Sequence, residues 1–380
     1  MAPISSRSVK SLTGKSKISV QKAQSQTSLF QASLASVRSR YLQECRTMGL
    51  HKVMVAPIHR QIHQAITEDR ELRSLIVGDP CGPQSVRALA TAITANFYTR
   101  LTRVSFWKAA LTDSGVLALC GAIPNLHSLS ILELVDADMT QASCAALGKA
   151  LTDRNSPLLS TLRLDYNSLT SSGLASMSGA LRRGACHRLA CLSLGFCELD
   201  QQAGAILADV MTVPRCALKE LNLEGNRLED AGWEELSSGI RRNTSLAVIN
   251  LSNNRFGNSS AAIEAFRDAF AENRSLQTID IDGNLVGDAG AVVFTDMLHH
   301  CPHITEFKIS STVSPDLYRA LKVVVHSHRG RPARHQDRPA SKTKHARQQK
   351  NDDAKRKALI DEFLESQAMQ RLELGSQRRC

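Results

Sequence analysis

Nine times between residues 72 and 312 the chain repeats one apolar spacing, with a period of 28 to 30 residues. The first apolar position of each copy is Leu72, Leu101, Leu129, Leu159, Leu189, Leu218, Leu246, Leu276 and Ile304, and the residues three and five places later are apolar in every copy. That LxxLxL spacing is a short strand with alternate side chains pointing inward. The most regular copy, Leu218 to Ser245, adds Asn226 and Leu228 and then Leu236 and Ile240, four apart as one face of a helix requires. A unit of strand, turn and helix this short cannot bury its own apolar face. Each copy therefore needs its neighbours, and the chain folds as a stack.

The turn position after the strand is less regular than the leucines. Asn167, Asn226, Asn254 and Asn284 occupy it, Cys197 substitutes, and Pro80, Ala109, Ala137 and Thr312 depart. A buried Asn there bonds backbone groups where the chain leaves the strand, so the early repeats are expected to be looser at that turn. Gly115, Gly173, Gly232 and Gly290 recur where the helix begins.

Outside the repeats the charge changes. Residues 1–71 carry 11 Lys and Arg against 4 Asp and Glu, residues 72–312 carry 20 against 24, and residues 313–380 carry 16 against 8. An ordered, mildly acidic body thus has two basic arms. Residues 1–27 read as a disordered arm, and 28–71 as a helical cap on the first repeat, with one helix carrying Phe30, Leu34, Val37 and Tyr41 and a second starting at Pro57. Residues 72–325 are the repeat domain and 326–354 a flexible basic linker. Lys355 to Leu374 reads as a helix whose Leu359, Ile360, Phe363 and Leu364 form a short apolar stripe.

The pattern LxxLxLxxNxLxxxGxxxLxxxLxxN, with a full helix in each unit, resembles the ribonuclease-inhibitor-like class of leucine-rich repeats. The resemblance covers Leu72 to about Thr312. It implies an α/β solenoid, a right-handed horseshoe with a parallel sheet on its concave face and helices on its convex face. It implies no single function, because this fold serves chiefly as a binding surface. The segments LTRVSFWKAALTDSG (Leu101 to Gly115) and YLQECRTMGL (Tyr41 to Leu50) are also similar to leucine-rich-repeat proteins of ciliary axonemes.

Function must then lie in the outward strand residues. In the early and middle repeats these are Arg103, Trp107, Lys108, Glu133, Val135, Asp136, Arg163, Asp165, Tyr166 and Phe196. Later repeats give Glu220, Asn222, Glu224, Asn250, Asn253, Asp280, Asp282, Glu306 and Lys308. Trp107, Tyr166 and Phe196, with Lys108 and Arg163 beside them, are expected to anchor a protein partner, since Trp and Tyr dominate interface energies. An equal alternative is that the amino-terminal segment covers some of these rings. The acidic set Glu220, Glu224, Asp280 and Asp282 could contact the same partner, be plain solvated carboxylate, or receive the chain's own basic tail. Arg329, Arg331, Arg334, Lys342, Lys344, Arg347 and Lys350 are the candidates for binding an anionic surface.

Chemistry is sparse. His299, His300, Cys301 and His303 crowd together and His59 and His63 stand one helical turn apart, but neither pattern has the geometry of a metal centre, and no phosphate-binding glycine loop occurs. The 10 cysteines include no CxxC pair and read as reduced thiols of a cytoplasmic protein. No apolar run reaches the roughly 18 residues of a membrane span. The expectation is a non-enzymatic scaffold without cofactor, associated with the cytoskeleton of a cilium or flagellum. Its horseshoe would hold a protein while its arms lie on tubulin or another acidic filament. The alternatives are a signalling regulator of the Ran GTPase-activating type, whose resemblance is weakened by a basic rather than acidic tail, and an RNA or ribosome-biogenesis factor. The latter lacks aromatic residues interleaved in its basic arms.

Overall fold

The computed structural model describes residues 32–152, 159–183, 188–310 and 312–328. Nine strands form one parallel sheet in strict chain order. They are β1 (Ser74–Val77), β2 (Arg103–Trp107), β3 (Ile131–Val135), β4 (Thr161–Arg163), β5 (Cys191–Ser193), β6 (Glu220–Asn222), β7 (Val248–Asn250), β8 (Thr278–Asp280) and β9 (Glu306–Lys308). The register puts Leu75, Val104, Leu132, Leu162, Leu192, Leu221, Ile249, Ile279 and Phe307 in one row across the sheet. All nine are buried. At about 1.5–3 kcal/mol for each such side chain, this row alone is a large part of the driving force for stacking.

Helices follow each strand: α3 (Gly82–Ala95), α4 (Thr112–Ala122), α5 (Gln141–Thr152), α6 (Thr170–Arg183), α7 (Gln202–Met211), α8 (Glu229–Arg242), α9 (Ser260–Glu272), α10 (Asp288–His300) and α11 (Pro315–His328). The recurring glycines let these helices approach. A Cβ on Gly232 of α8 would sit 2.9 Å from the Gln201 backbone, and one on Gly204 of α7 would collide with the Gly232 carbonyl. The glycines therefore mark helix-to-helix contact as well as a helix start.

Asn226 shows what the turn position does. Its Nδ2 donates to the Leu194 (2.9 Å) and Leu223 (2.8 Å) carbonyls, and its Oδ1 accepts from the Cys197 and Leu199 amides, each at 3.0 Å. Cys197 partly reproduces this, with Sγ donating to the Leu164 (3.2 Å) and Gly195 (3.4 Å) carbonyls. The early repeats are not left open for want of Asn. The Lys108 and Thr112 amides bond directly to the Val135 and Ala137 carbonyls, each at 3.0 Å, and β2 and β3 run to 5 residues where β4 to β9 have 3. The same two bonds join the Asn-bearing repeats, where the Tyr166 and Thr170 amides meet the Gly195 and Cys197 carbonyls at 2.8 and 3.0 Å, so the early turns keep the backbone pairing and lack only the side-chain amide.

A second ladder crosses the helix ends. The buried Asn243 and Asn273 donate from Nδ2 to the carbonyls of Met211 (2.9 Å) and Ile240 (2.8 Å), and His303 Nε2 lies 2.8 Å from the Asn273 carbonyl in the next repeat. Two of the four Asn-x-Ser/Thr sequons are thus internal braces, with their amides engaged.

Ahead of β1 lie helix α1, over residues 32–47, and α2 (Lys52–Thr67). α2 begins five residues before Pro57, where sequence alone places its start. His51 is extended and its side chain accepts from the Val53 amide, so the cap forms earlier and Pro57 falls inside the helix. Tertiary bonds hold that first stretch: Tyr41 Oη donates to the Val55 carbonyl (3.2 Å) and Ser85 Oγ to the Met54 carbonyl (2.8 Å). The Gln61 side chain accepts from the Ile76 amide at 2.9 Å and donates to the Ile76 carbonyl, closing the free edge of β1 as another strand would. At the far end α11 continues three residues past position 325, because Val324, Val325 and His328 are buried and His328 Nδ1 lies 2.7 Å from the Ile304 carbonyl. The basic residues from Arg329 to Lys350, the stripe Leu359 to Leu364 and the arm 1–27 lie outside the described residues.

Candidate protein-binding surface

The helix-free face of the sheet is bounded on one side by a rim formed where each strand turns outward. Seven residues after the first leucine, the backbone is left-handed in seven successive repeats: Lys108 (φ 54°), Asp136 (49°), Tyr166 (58°), Phe196 (54°), Gly225 (67°), Asn253 (57°) and Gly283 (68°). Gly and Asn suit that conformation. Tyr and Phe do not, and each costs on the order of 1–2 kcal/mol there. Tyr166 and Phe196 nevertheless occupy it, side by side, with rings stacked at 4.7 Å and 7° between planes. Their exposures are 56% and 38%. The Phe196 ring lies flat over Gly225, where any Cβ would collide with it. The pair is a rigid aromatic step whose backbone strain is not repaid by burial, and such retained strain points to use.

Trp107 is 39% exposed, but among the described residues no ring contact joins it to that step. The three aromatic residues therefore make two separate features, one at the end of β2 and one on the rim beyond β4 and β5. The glycine–asparagine pairs at 225–226 and 283–284 were the sequence signal for this rim, since they show which position must be left-handed.

Three residues expected to face outward are buried instead: Glu133 (5% exposed), Val135 (7%) and Asp165 (8%). For the two carboxylates the reason is polar bracing along the sheet. Glu133 accepts from Arg103 Nη2 (2.7 Å) and from Ser105 Oγ, with Arg163 Nε 3.8 Å away. Burial pushes the Glu133 carboxyl upward, but the bonds from Ser105 and Arg103 outweigh it and hold the group below the ordinary carboxylate range. Asp165 Oδ1 accepts from Ser193 Oγ (2.5 Å), the Gly195 amide (2.7 Å) and Asn222 Nδ2 (3.3 Å).

A depressed carboxyl adds stability that is complete above the unfolded-state value of about 4.3 and disappears as pH falls through the lower folded value. Melting curves of wild type and Glu133→Gln from pH 7 to pH 3 are therefore expected to differ most at neutral pH and to converge at the acid end. A gap that stays constant would contradict this role for Glu133.

The acidic end is not uniformly free either. Glu220 and Asp282 are exposed, Glu224 Oε2 accepts from Asn250 Nδ2 (3.1 Å), and Asp280 pairs with Lys308 Nζ at 3.0 Å. Lys108 is exposed and forms no ion pair among the described residues, while Arg163 is partly exposed and pairs with Glu133 at 3.8 Å.

Other candidates resolve into structure. His303 belongs to the second ladder, and His300 Nδ1 lies 3.0 Å from the Asp296 carbonyl. His59 and His63 stack at 5.7 Å. No group of three or more metal-ligating side chains occurs among the described residues. Burial pushes the thiols of Cys81, Cys120 and Cys197 up to about 12 and that of Cys144 to about 11, which makes them unreactive. No helix among the described residues is long and apolar enough to cross a membrane.

Comparison with known proteins agrees with this architecture. A family model described as Leucine Rich repeat matches residues 216–237 and 272–294. Ribonuclease inhibitor of Mus musculus is 31% identical over 253 residues, covering 64% of this chain and 54% of that protein. NACHT, LRR and PYD domains-containing protein 12 of Mus musculus is 32% identical over 216 residues, 56% of this chain and 20% of that protein. Leucine-rich repeat-containing protein 73 of Homo sapiens is 26% identical over 253 residues, with 65% and 77% covered. The chain thus spans about a fifth of one of its first relatives and about half of the other. Nine in-register repeats, the Asn ladder and these similarities together make the chain a leucine-rich-repeat solenoid that resembles ribonuclease inhibitor.

Proposed function

We propose that the protein is a non-enzymatic scaffold that holds a protein partner on the helix-free face of its sheet, with the Tyr166–Phe196 step as anchor and Trp107 as a second contact. One observation carries this reading: two large aromatic side chains stay exposed at backbone positions that favour glycine. Rigid, preorganised rings of this kind dominate interface energies. The test is a variant carrying Trp107→Ala, Tyr166→Gly and Phe196→Gly. Glycine relieves the left-handed strain, so its melting temperature should be unchanged or higher, while capture of whichever protein the wild type retains should fall about tenfold or more. Undiminished capture would sink the proposal.

The finer reading is a cytoplasmic, cytoskeletal protein of a cilium or flagellum, with the basic ends lying on microtubules. Its support is the charge distribution, a mildly acidic middle between two basic ends. Co-sedimentation with microtubules at moderate salt, resistant to competing RNA, is the expected outcome. Release by RNA would favour a nucleic-acid factor instead. A second partner class has a specific observation behind it, the 31% identity to ribonuclease inhibitor, and a ribonuclease inhibition assay with the purified chain decides it.

A further inference from the structure

We propose that the Tyr166–Phe196 step is an arginine-recognition site, in which a guanidinium from a basic segment of the partner lies on the open face of the Tyr166 ring and is held there by Asp136. This rests on the reading that a protein partner binds this face, and it names the chemistry by which the partner is read.

Side chains along the rim lean the same way. Tyr166 stacks on Phe196, Phe196 covers Gly225, and Asn253 covers Gly283, so each reaches toward the following repeat. One face of the Tyr166 ring is therefore taken by Phe196. The other faces the preceding repeat, whose rim residue is Asp136. The two are neighbours in the ladder: the Asp136 amide donates to the Asp165 carbonyl at 3.0 Å, and the Tyr166 amide to the Gly195 carbonyl at 2.8 Å. Adjacent strands lie about 4.8 Å apart, so an Asp136 side chain with the lean seen at Tyr166, Phe196 and Asn253 would bring its carboxylate to the open ring face.

A carboxylate beside an aromatic face is an incomplete arrangement, because the face is itself the negative pole of the ring quadrupole. Among the described residues the Asp136 side chain has no hydrogen bond and no ion pair. Lys108, the rim residue on its other side, forms no ion pair with it. A cation between carboxylate and ring satisfies both. A guanidinium suits the slot better than an ammonium, since it can lie flat on the ring while its edge donates to the carboxylate.

The surface beyond the step favours a basic segment over a lone side chain. Glu224 lies two strands past Tyr166, about 10 Å away, which an extended peptide covers in about three residues. Glu220 and Asp282 continue the acidic surface. A second cation about three residues after the arginine would thus meet Glu224.

The test needs no partner. The full-length chain has 4 tyrosines, so with ring-labelled tyrosine its NMR spectrum holds four ring signals, and Tyr166→Phe assigns the one at issue. N-acetyl-arginine amide is titrated in, with N-acetyl-citrulline amide as the neutral isostere. We expect the Tyr166 signal to move with arginine and roughly fivefold to tenfold more weakly with citrulline, and Asp136→Asn to abolish that preference. The signals of Tyr41, Tyr98 and Tyr318 report whether the variant remains folded. Equal shifts with arginine and citrulline, or an Asp136→Asn chain that still prefers arginine, overturns the proposal. Loss of partner capture in the anchor variant is read separately, so the scaffold reading can stand or fall independently of the arginine site.

Discussion

Replacing Asn226 with alanine is expected to destabilise the protein by about 3–5 kcal/mol and lower its melting temperature by roughly 6–10 °C. The side chain is 2% exposed. It bonds the backbone of two repeats at once, so its removal orphans the Cys197 and Leu199 amides together with carbonyls on both sides of the β5–β6 boundary. Each buried group left unpaired costs about 1–3 kcal/mol, and in a stack whose repeats contact only their neighbours the loss falls on one interface. Amide hydrogen exchange should accelerate at Cys197 and Leu199 before it does in β8 or β9. The complementary change is Cys197→Asn, which restores the amide where a thiol stands in and should be neutral or stabilising by up to about 1 kcal/mol. An Asn226→Ala protein that melts within a degree of wild type would remove the ladder from the account of stability.

That ladder was readable because it is periodic. Leucines at fixed phase identify the strand, and the register pairs the predicted apolar positions across all nine strands. Pattern alone also picked out three of the four aromatic residues that stay exposed among the described residues, and passed over Phe97 because it lies outside the strand repeat. It could not tell which outward positions remain wet. Glu133 and Asp165 alternate as solvent-facing residues should, yet hydrogen bonds from Arg103, Ser105, Ser193 and Asn222 draw them under cover. Cross-strand partners some 30 residues apart leave no trace in local spacing. The same limit applies to His303, whose crowding with His299, His300 and Cys301 gives no hint of the bond it makes to Asn273 in the repeat before. The start of α2 was misplaced for a simpler reason: Pro57 is a common first-turn residue, and its tolerance deeper in the helix depends on bonds from α1 and α3.

The chain has 2 tryptophans, and they are expected to behave in opposite ways. Trp233, on α8, is fully buried, with ring centroids 3.5 Å from Phe256 and 3.3 Å from Phe266. Trp233→Ala should cost about 3–5 kcal/mol, the usual range for emptying a buried aromatic site. Its indole Nε1 has no hydrogen-bond partner, so Trp233→Phe removes an unmet donor along with some volume and should cost clearly less than the alanine change. Trp107→Ala, by contrast, should leave the melting temperature nearly unchanged and appear only in partner binding, because that ring sits at a strand end with much of its surface in water. Fluorescence separates the two, since Trp107→Ala leaves a blue-shifted emission from Trp233 and Trp233→Ala a red-shifted one from Trp107. If both alanine variants lost stability equally, Trp107 would be part of the scaffold and the interaction surface would contract to the Tyr166–Phe196 step. If neither did, helix α8 would not depend on its aromatic cluster, and the close approach of Gly204 to Gly232 would be what fixes it to α7.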